Sequence, residues 1–285
     1  MTKKLIYIIG TGRSGTTLLD IMLGNIDNAI SLGEINRFYK RNGIPPKRKE
    51  HSDVFAFWRK IKLQLNHHDE TKYNKLEKLF FNNEYHSAFI KSLLNFCNDS
   101  YKKELVNLYD QIYRNTEEEI IIESSKYPAR ALNLVNIGLN QKLDISYLYL
   151  KKDPVSVVAS FQKKNLEQPS KGFFSSNLYY LAVNILCSFT VSVLKLRGRK
   201  TCTIKFEDFI NHPTRNLELI QKNLDINVTQ LIKRINSGDP LNTGFLFDGN
   251  RIRLEKSIVL KKQKKIADKN FKYYFTRIFN YIIYR

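Results

Sequence analysis

Cysteine is scarce in this chain. Its 285 residues hold three, Cys97, Cys187 and Cys202, odd in number and far apart. Neither a disulfide framework nor a CxxC metal knuckle can be built from them, which points to a reducing compartment. Long apolar runs are missing as well, since no stretch approaches the ~18 apolar residues of a membrane helix. Lys3-Lys4 before Leu5-Ile6-Tyr7-Ile8-Ile9 imitates a signal peptide, but the run is shorter than a signal core of roughly 7–15 residues and stops at glycine. A soluble, cytoplasmic protein is the expectation. Acidic residues are few, 27 Asp plus Glu against 47 Lys plus Arg, for a net charge of +20. Such a surplus favours anionic partners: phosphorylated small molecules, acidic glycans, nucleic acid or an anionic membrane. Absent motifs shorten that choice. No G-x-S-x-G elbow, H-E-x-x-H pair or Rossmann fingerprint occurs. Helix-turn-helix and RNA-recognition signatures are also absent, so no specific nucleic-acid partner is expected. His51, His86 and His212 are isolated, and His67-His68-Asp69-Glu70 has no partner cluster. No metal site is expected.

What is present is apolar material for a large core, 42% of the residues, in a pattern of alternating strands and helices. Leu5–Ile9, Ala29–Leu32, Glu119–Ile122, Ile145–Leu150 and Thr201–Phe206 read as strands. Helical spacing recurs over Thr16–Leu23, Val54–Leu65, Ala88–Phe96 and Asn177–Leu196, and Pro128, Pro154 and Pro213 mark helix starts. Strands alternating with helices imply an α/β fold in three layers, a mainly parallel central sheet flanked by helices. One domain over 1–285 is expected, with a lysine-rich helical insertion at about 38–118.

The chemistry is concentrated in Gly10-Thr11-Gly12-Arg13-Ser14-Gly15-Thr16-Thr17, between the first strand and the first helix. It matches the phosphate-binding pattern G-x-x-x-x-G-K-[ST] except for the lysine, which is Thr16. Glycines let backbone N–H groups converge on an anion at a helix N-terminus. The missing lysine, normally a partner of the β- and γ-phosphates, argues against a kinase or ATPase. Arg13 offers a forked guanidinium in its place. Glu34, after a short strand and a glycine, is placed at the carboxyl edge of the sheet as a candidate general base. Lys126 in Glu123-Ser124-Ser125-Lys126 is placed just past the third strand, where a cation would stabilise developing charge. Arg13, Glu34, Lys126, Lys152 and Phe206 each fall at or after the end of a different strand, and parallel strands bring such ends to one rim.

These motifs resemble those of the PAPS-dependent sulfotransferase family. Gly10 through Leu19 is similar to the family's phosphosulfate-binding loop, G-x-x-R-S-G-T-T-x-L. Lys152-Asp153-Pro154 through Ser160 is similar to its R-D-P-x-x-V-V-x-S segment, with lysine for arginine, and Gly249-Asn250-Arg251-Ile252-Arg253 to its G-N-x-x-R segment. The resemblance implies a P-loop nucleotide-kinase-like fold and 3′-phosphoadenylyl sulfate (PAPS) as co-substrate, without metal. It implies that Gly12, Arg13, Ser14, Gly15, Thr16 and Thr17 bind the phosphosulfate. Lys152, Ser160, Gly249, Asn250 and Arg251 would hold the 3′-phosphate end, and Phe206 the adenine. Glu34 resembles the base of Golgi-type and tyrosylprotein sulfotransferases, and Lys126 a lysine that touches the sulfuryl group. Arg251 and Arg253 both remain candidates, since in an extended segment residues two apart point the same way.

Lys40, Arg41, Lys47, Arg48 and Lys49 follow Glu34 closely enough to flank an acceptor entrance, which favours a polar or anionic acceptor such as a glycan. The alternatives are a P-loop kinase-like enzyme using a nucleoside triphosphate and a non-enzymatic basic protein on anionic polymer or membrane. A C-terminal amphipathic helix is expected at about 263–285, with Phe271, Tyr274, Phe275, Ile278, Phe279 and Ile282 on one face. It would dock on the core or make peripheral contact with a membrane.

Overall fold

Side chains alternate along the first strand, and here both sides are apolar. That strand, β1 (Lys4–Gly10), sits at the centre of the computed structural model, with Leu5 to Ile9 fully buried. Leu5, Tyr7 and Ile9 join one core cluster, Ile6 and Ile8 the other. Helices must therefore cover both faces. The structure describes residues 3–49, 52–66, 70–139, 143–163, 170–260 and 269–285. His51, His67, His68 and Asp69, and the first residues of the expected C-terminal helix, lie outside these.

After β1 come α1 (Thr16–Leu23) and β2 (Ala29–Gly33). The segment expected as an insertion forms α2 (Asp53–Gln64), α3 (Glu70–Glu84), α4 (Phe89–Leu93) and α5 (Asp99–Arg114). Then follow β3 (Ile120–Lys126), α6 (Pro128–Asn136), β4 (Asp144–Lys151), α7 (Pro154–Gln162), α8 (Phe173–Leu196) and β5 (Thr201–Lys205). The chain continues with α9 (Phe206–Asn211), α10 (Pro213–Leu224) and α11 (Thr229–Ser237). A two-residue pair, β6 (Leu241–Asn242) with β7 (Ser257–Ile258), precedes α12 (Phe271–Phe279) and α13 (Tyr281–Tyr284). The large sheet has the order β2-β3-β1-β4-β5, with every pairing parallel. Connections from β1 and from β3 leave in opposite directions, so the switch in strand order falls at the carboxyl end of β1. That is where the glycine loop stands.

The structure departs from the sequence expectation at several element ends. Phe206 opens α9 instead of ending β5. β3 runs on through Lys126, which is its last residue. Ala88–Phe96 is not one helix: a single 3-10 turn at His86–Ala88 leads into the short α4, and Asn95 at φ 62° turns the chain away. α8 begins at Phe173, and its mean hydropathy of 1.5 over an 18-residue window makes it long and apolar enough to cross a membrane. The expectation that no stretch approaches that length is corrected, because small polar residues interrupt the run without lowering its average enough. In this fold 44% of that window is buried, against β1, β4 and β5 among others.

The 38–118 segment is not an appendage. Trp58, Ile61, Tyr73, Phe80, Tyr101 and Leu105 share a core cluster with Leu5 and Tyr7 of β1. One tie to the sheet is ionic. Arg130 of α6, with no exposed surface, donates through Nε to Glu123 of β3 at 2.7 Å and through Nη1 to Glu84 of α3. Tyr109 donates to Glu123 and Tyr101 to Glu84. Burial raises Glu84 to about 7, against the pull of Arg130. Removing one partner of such a group strands charge in the core at about 3–5 kcal/mol. Arg130→Leu should therefore lower the unfolding free energy by that much, read as a lower denaturant midpoint, whereas the triple variant Glu84→Gln, Glu123→Gln, Arg130→Met should recover most of it. Equal midpoints for Arg130→Leu and the parent would show that the network does not hold the layers together.

Candidate active site

The five strands end on one rim: Gly10 pairs in register with Leu150, Ile9 with Lys126, Gly33 with Glu123 and Lys151 with Lys205. Two cavities open there. One, of about 390 Å³, runs along the glycine loop between α1, α7 and the 249–252 segment. The other, of about 330 Å³, lies towards the helical segment. Glu34 and Lys126 line both. They stand where the two spaces meet.

The loop takes its shape from backbone geometry. Gly15 has φ +94°, and a Cβ there would sit 2.3 Å from the Phe206 ring. Arg13 adopts φ 67°, a left-handed conformation disfavoured for a residue with a Cβ and most often kept where function requires it. Its Nη1 comes within 3.5 Å of Ser160 Oγ, and its guanidinium lies 5.0 Å from the Phe161 ring centre. Burial lowers its pKa from the ordinary value. Ser14 is buried and spends its hydroxyl on the Thr11 carbonyl at 2.8 Å, so only its backbone is available to a ligand. Thr16, Thr17, Lys152 and Ser160 line the first cavity, at the N-terminus of α1 where N–H groups lack intrahelical partners. Gly12 lines the second.

Phe206 is not exposed to either space. Its ring abuts Gly15 and carries the Lys152 ammonium 4.1 Å from its centre, so it supports the loop from beneath. Burial lowers the pKa of Lys152, with Glu207 and Asp153 opposing. Gly249, Asn250 and Arg251 line the first cavity. Gly249 has φ +146° and packs on Thr17, and the Asn250 N–H donates to Thr17 Oγ1 at 3.1 Å. Arg251 and Arg253 do not point the same way, because the segment Arg251–Leu254 is a 3-10 turn rather than extended chain. Arg253 is buried, donating to the Gly249 carbonyl at 2.8 Å and facing Asp248 at 3.6 Å. It shapes the loop; Arg251 lines the cavity.

Glu34 is buried between two cations. Lys126 meets its Oε1, and Arg37 Nε meets its Oε2 at 2.9 Å. Arg37 bridges onward to Asp248 at 3.3 Å, and the Glu34 N–H donates to the Asp248 carbonyl at 3.1 Å. Burial opposes ionisation of Asp248, but Arg37, the Gly249 N–H, Arg253 and Arg41 together hold its carboxyl below the usual range. Lys126 reaches Glu34 through a bulge: β3 advances three positions from Glu123 to Lys126 where β1 advances two from Tyr7 to Ile9, and Lys126 itself has φ 75°. Behind β2, Asp20 accepts the Gly33 N–H at 3.1 Å, one residue before Glu34.

The second cavity carries residues that sequence reasoning passed over. His86, read as isolated, lines it with Tyr85, Tyr127, Phe161 and Tyr179, and so do Arg37 and Lys171. Burial lowers His86 to about 4, so its imidazole is neutral at pH 7, and its buried Nδ1 has no hydrogen-bond partner among the described residues. Only contacts made across the fold reveal it. Of the five cations after Glu34, Lys40 lines this cavity, whereas Arg41 is drawn to Asp248 at 3.2 Å.

A parallel α/β sheet with a glycine loop at its switch point and cations around the loop is an arrangement suited to an anion at the N-terminus of α1. A family model described as "Sulfotransferase family" matches residues 6–230, and the chain belongs to that family. No curated protein matches it. Among solved structures, the sulfotransferase domain from the curacin biosynthetic pathway is 15% identical, with 97% of this chain and 96% of that chain covered and a TM-score of 0.51. That is a likeness of fold. The sulfotransferase domain from the Synechococcus PCC 7002 olefin synthase is also similar, at 15% identity, 100% and 97% coverage and a TM-score of 0.48.

Two outcomes check the geometry. Gly15→Ala should abolish anion binding measured by calorimetry, and adding Phe206→Ala should restore room but not the left-handed backbone, so recovery should be partial at best. Full recovery would place the defect in the ring contact alone. Burial raises Asp20 to about 7 from 3.8. Between those values the folded state keeps a proton that the unfolded chain releases, so stability falls as pH rises, by at most roughly 1.4 kcal/mol per unit. Asp20→Asn removes that slope, and its Tm relative to the parent should climb from pH 5 to pH 8. Parallel curves would show Asp20 ionised in the fold.

Proposed function

We propose that this sulfotransferase uses 3′-phosphoadenylyl sulfate as donor and transfers its sulfuryl group to a hydroxyl on a polar or anionic acceptor, a glycan. The observation that carries the reading is the junction of the two cavities at Glu34 and Lys126. The first cavity suits the donor. It offers the N-terminus of α1, Arg13, Lys152, Lys163 and Arg251 to an anion, and the loop has no lysine for a terminal phosphate of ATP. The donor supplies an activated sulfuryl group, and its S–O bond to phosphate breaks as the acceptor oxygen bonds to sulfur, releasing adenosine 3′,5′-bisphosphate.

The chain's own groups divide the remaining work. Glu34 accepts the acceptor's proton. With both carboxylate oxygens engaged by Lys126 and Arg37, it is freed when the Lys126 ammonium turns towards the anionic side. Arg37 keeps the other oxygen fixed. Lys126 and Arg13 stabilise charge that builds on the leaving side, so the cations this chemistry needs are side chains and no metal is invoked. The second cavity combines Tyr85, Tyr127 and Tyr179 with Arg37, Lys40 and Lys171. Aromatic faces beside cations suit a sugar ring carrying carboxylate or sulfate. His86 supports a second reading of the base, since it lines the same cavity in its neutral form.

Calorimetry should show adenosine 3′,5′-bisphosphate binding without magnesium and ATP–Mg²⁺ binding poorly; the reverse order would remove the donor assignment. With labelled donor and a panel of oligosaccharide, phenolic, sterol and peptide acceptors, acidic oligosaccharides should be sulfated fastest. Glu34→Gln should cut turnover by roughly 10²–10⁴ while leaving donor affinity nearly intact. Arg13→Ala should weaken both binding and turnover. A normal rate in Glu34→Gln together with a crippled His86→Ala would transfer the role of base to His86.

A further inference from the structure

The two C-terminal helices are mounted in an orientation opposite to that of a core helix. The buried positions of the segment 271–284 are polar, Thr276 of α12 and Asn280 between the two helices, and Asn280 Nδ2 donates to Asn177 Oδ1 of α8 at 2.9 Å. Phe271, Tyr274, Phe279 and Tyr281 are exposed, as are Ile278 at 78% and Ile282 at 91%. A helix held by hydrophobic burial turns its apolar stripe inward. Here polar anchors fix the opposite orientation: Arg277 pairs with Asp153 at 3.2 Å, Tyr284 donates to Glu207 at 2.9 Å, and Lys151 donates to the Ile283 carbonyl at 3.1 Å.

The apolar surface continues onto α8. The Phe275 ring lies 5.5 Å and 5.6 Å from those of Phe173 and Phe174. Phe174, Leu178, Ile185 and Phe189 are exposed at i, i+4, i+11 and i+15, one face of that helix. Scattered apolar residues on a surface need no explanation, but a contiguous set on neighbouring helices marks a docking site. Its charge indicates what docks. Neither α8 nor the segment 269–285 contains a single Asp or Glu, and Lys171, Lys195, Lys269, Lys272 and Arg285 flank the apolar set. Aromatic and aliphatic side chains framed by cations are the composition of an interfacial membrane surface. Tyr179 and Lys171, which line the acceptor cavity, neighbour this face in the chain.

We propose that the outer faces of α8, α12 and α13 seat the protein on an anionic lipid bilayer, with the acceptor cavity opening beside the headgroups. The seating is independent of which acceptor is used.

The full-length chain should sediment with equimolar phosphatidylglycerol–phosphatidylcholine vesicles at low salt and less so as salt rises, because the cations contribute. Ile278→Ser with Ile282→Ser should lower that partitioning by roughly tenfold or more. Both positions are exposed, so the Tm and the binding of adenosine 3′,5′-bisphosphate should stay those of the parent. Lys272→Glu with Arg285→Glu should lose the preference for anionic over pure phosphatidylcholine vesicles. Failure to sediment at low salt would overturn the proposal, as would equal partitioning of the serine variant. A dimer at micromolar concentration that the serine variant converts to monomer, without vesicle binding, would assign the face to a second copy instead.

Discussion

Arg130 is the point on which both walls of the second cavity depend. It holds Glu84 at the end of α3 and Glu123 in β3. The next residues after Glu84 are Tyr85 and His86; those after Glu123 are Ser124, Ser125 and Lys126. One buried guanidinium thus ties the aromatic wall to the strand end that carries Lys126. Apolar residues of similar volume often hold layers together as well as a buried ionic group does. They would not fix a register. Five hydrogen bonds among Arg130, Glu84, Glu123, Tyr101 and Tyr109 do.

Positive-φ backbone also gathers around the site. Arg13 and Lys126 carry side chains at positive φ, and Gly15, Gly33 and Gly249 adopt it beside them. Such conformations persist only where the surroundings over-determine them. Here the surroundings are named: Phe206 against Gly15, the Asp248 carbonyl and Leu246 close to Gly33, Thr17 against Gly249.

What the sequence disclosed, and what it withheld, divides along the same line. The strands, the glycine loop and the places of Glu34, Lys126 and Lys152 rest on local pattern: runs of β-branched residues, glycines at fixed spacing, Asp-Pro at a helix start. Each survives folding because it is written within a few neighbouring residues. The bulge that aims Lys126 depends on the pairing of β3 with β1 and is invisible in either alone. The separate roles of Arg251 and Arg253 depend on a 3-10 turn and on buried Asp248. His86 reaches the second cavity because α3, over forty residues from Lys126 in sequence, is drawn to β3 by Arg130. An isolated histidine carries no mark of that.

The C-terminal helices show how long-range contact can reverse a local reading. Their periodicity names an apolar stripe, and a stripe ordinarily names the buried side. The side is decided elsewhere, by Asp153 and Glu207. Asp153 follows Lys152 and caps α7, its carboxylate accepting the Ser156 N–H at 3.1 Å; Glu207 follows Phe206 and accepts the Asp153 N–H at 3.0 Å. Arg277 and Tyr284 bind these same two carboxylates. The tail therefore braces the floor under the Lys152–Phe206 contact with its polar face, which leaves its apolar face outward as a consequence of the site's architecture rather than as a flaw in the packing.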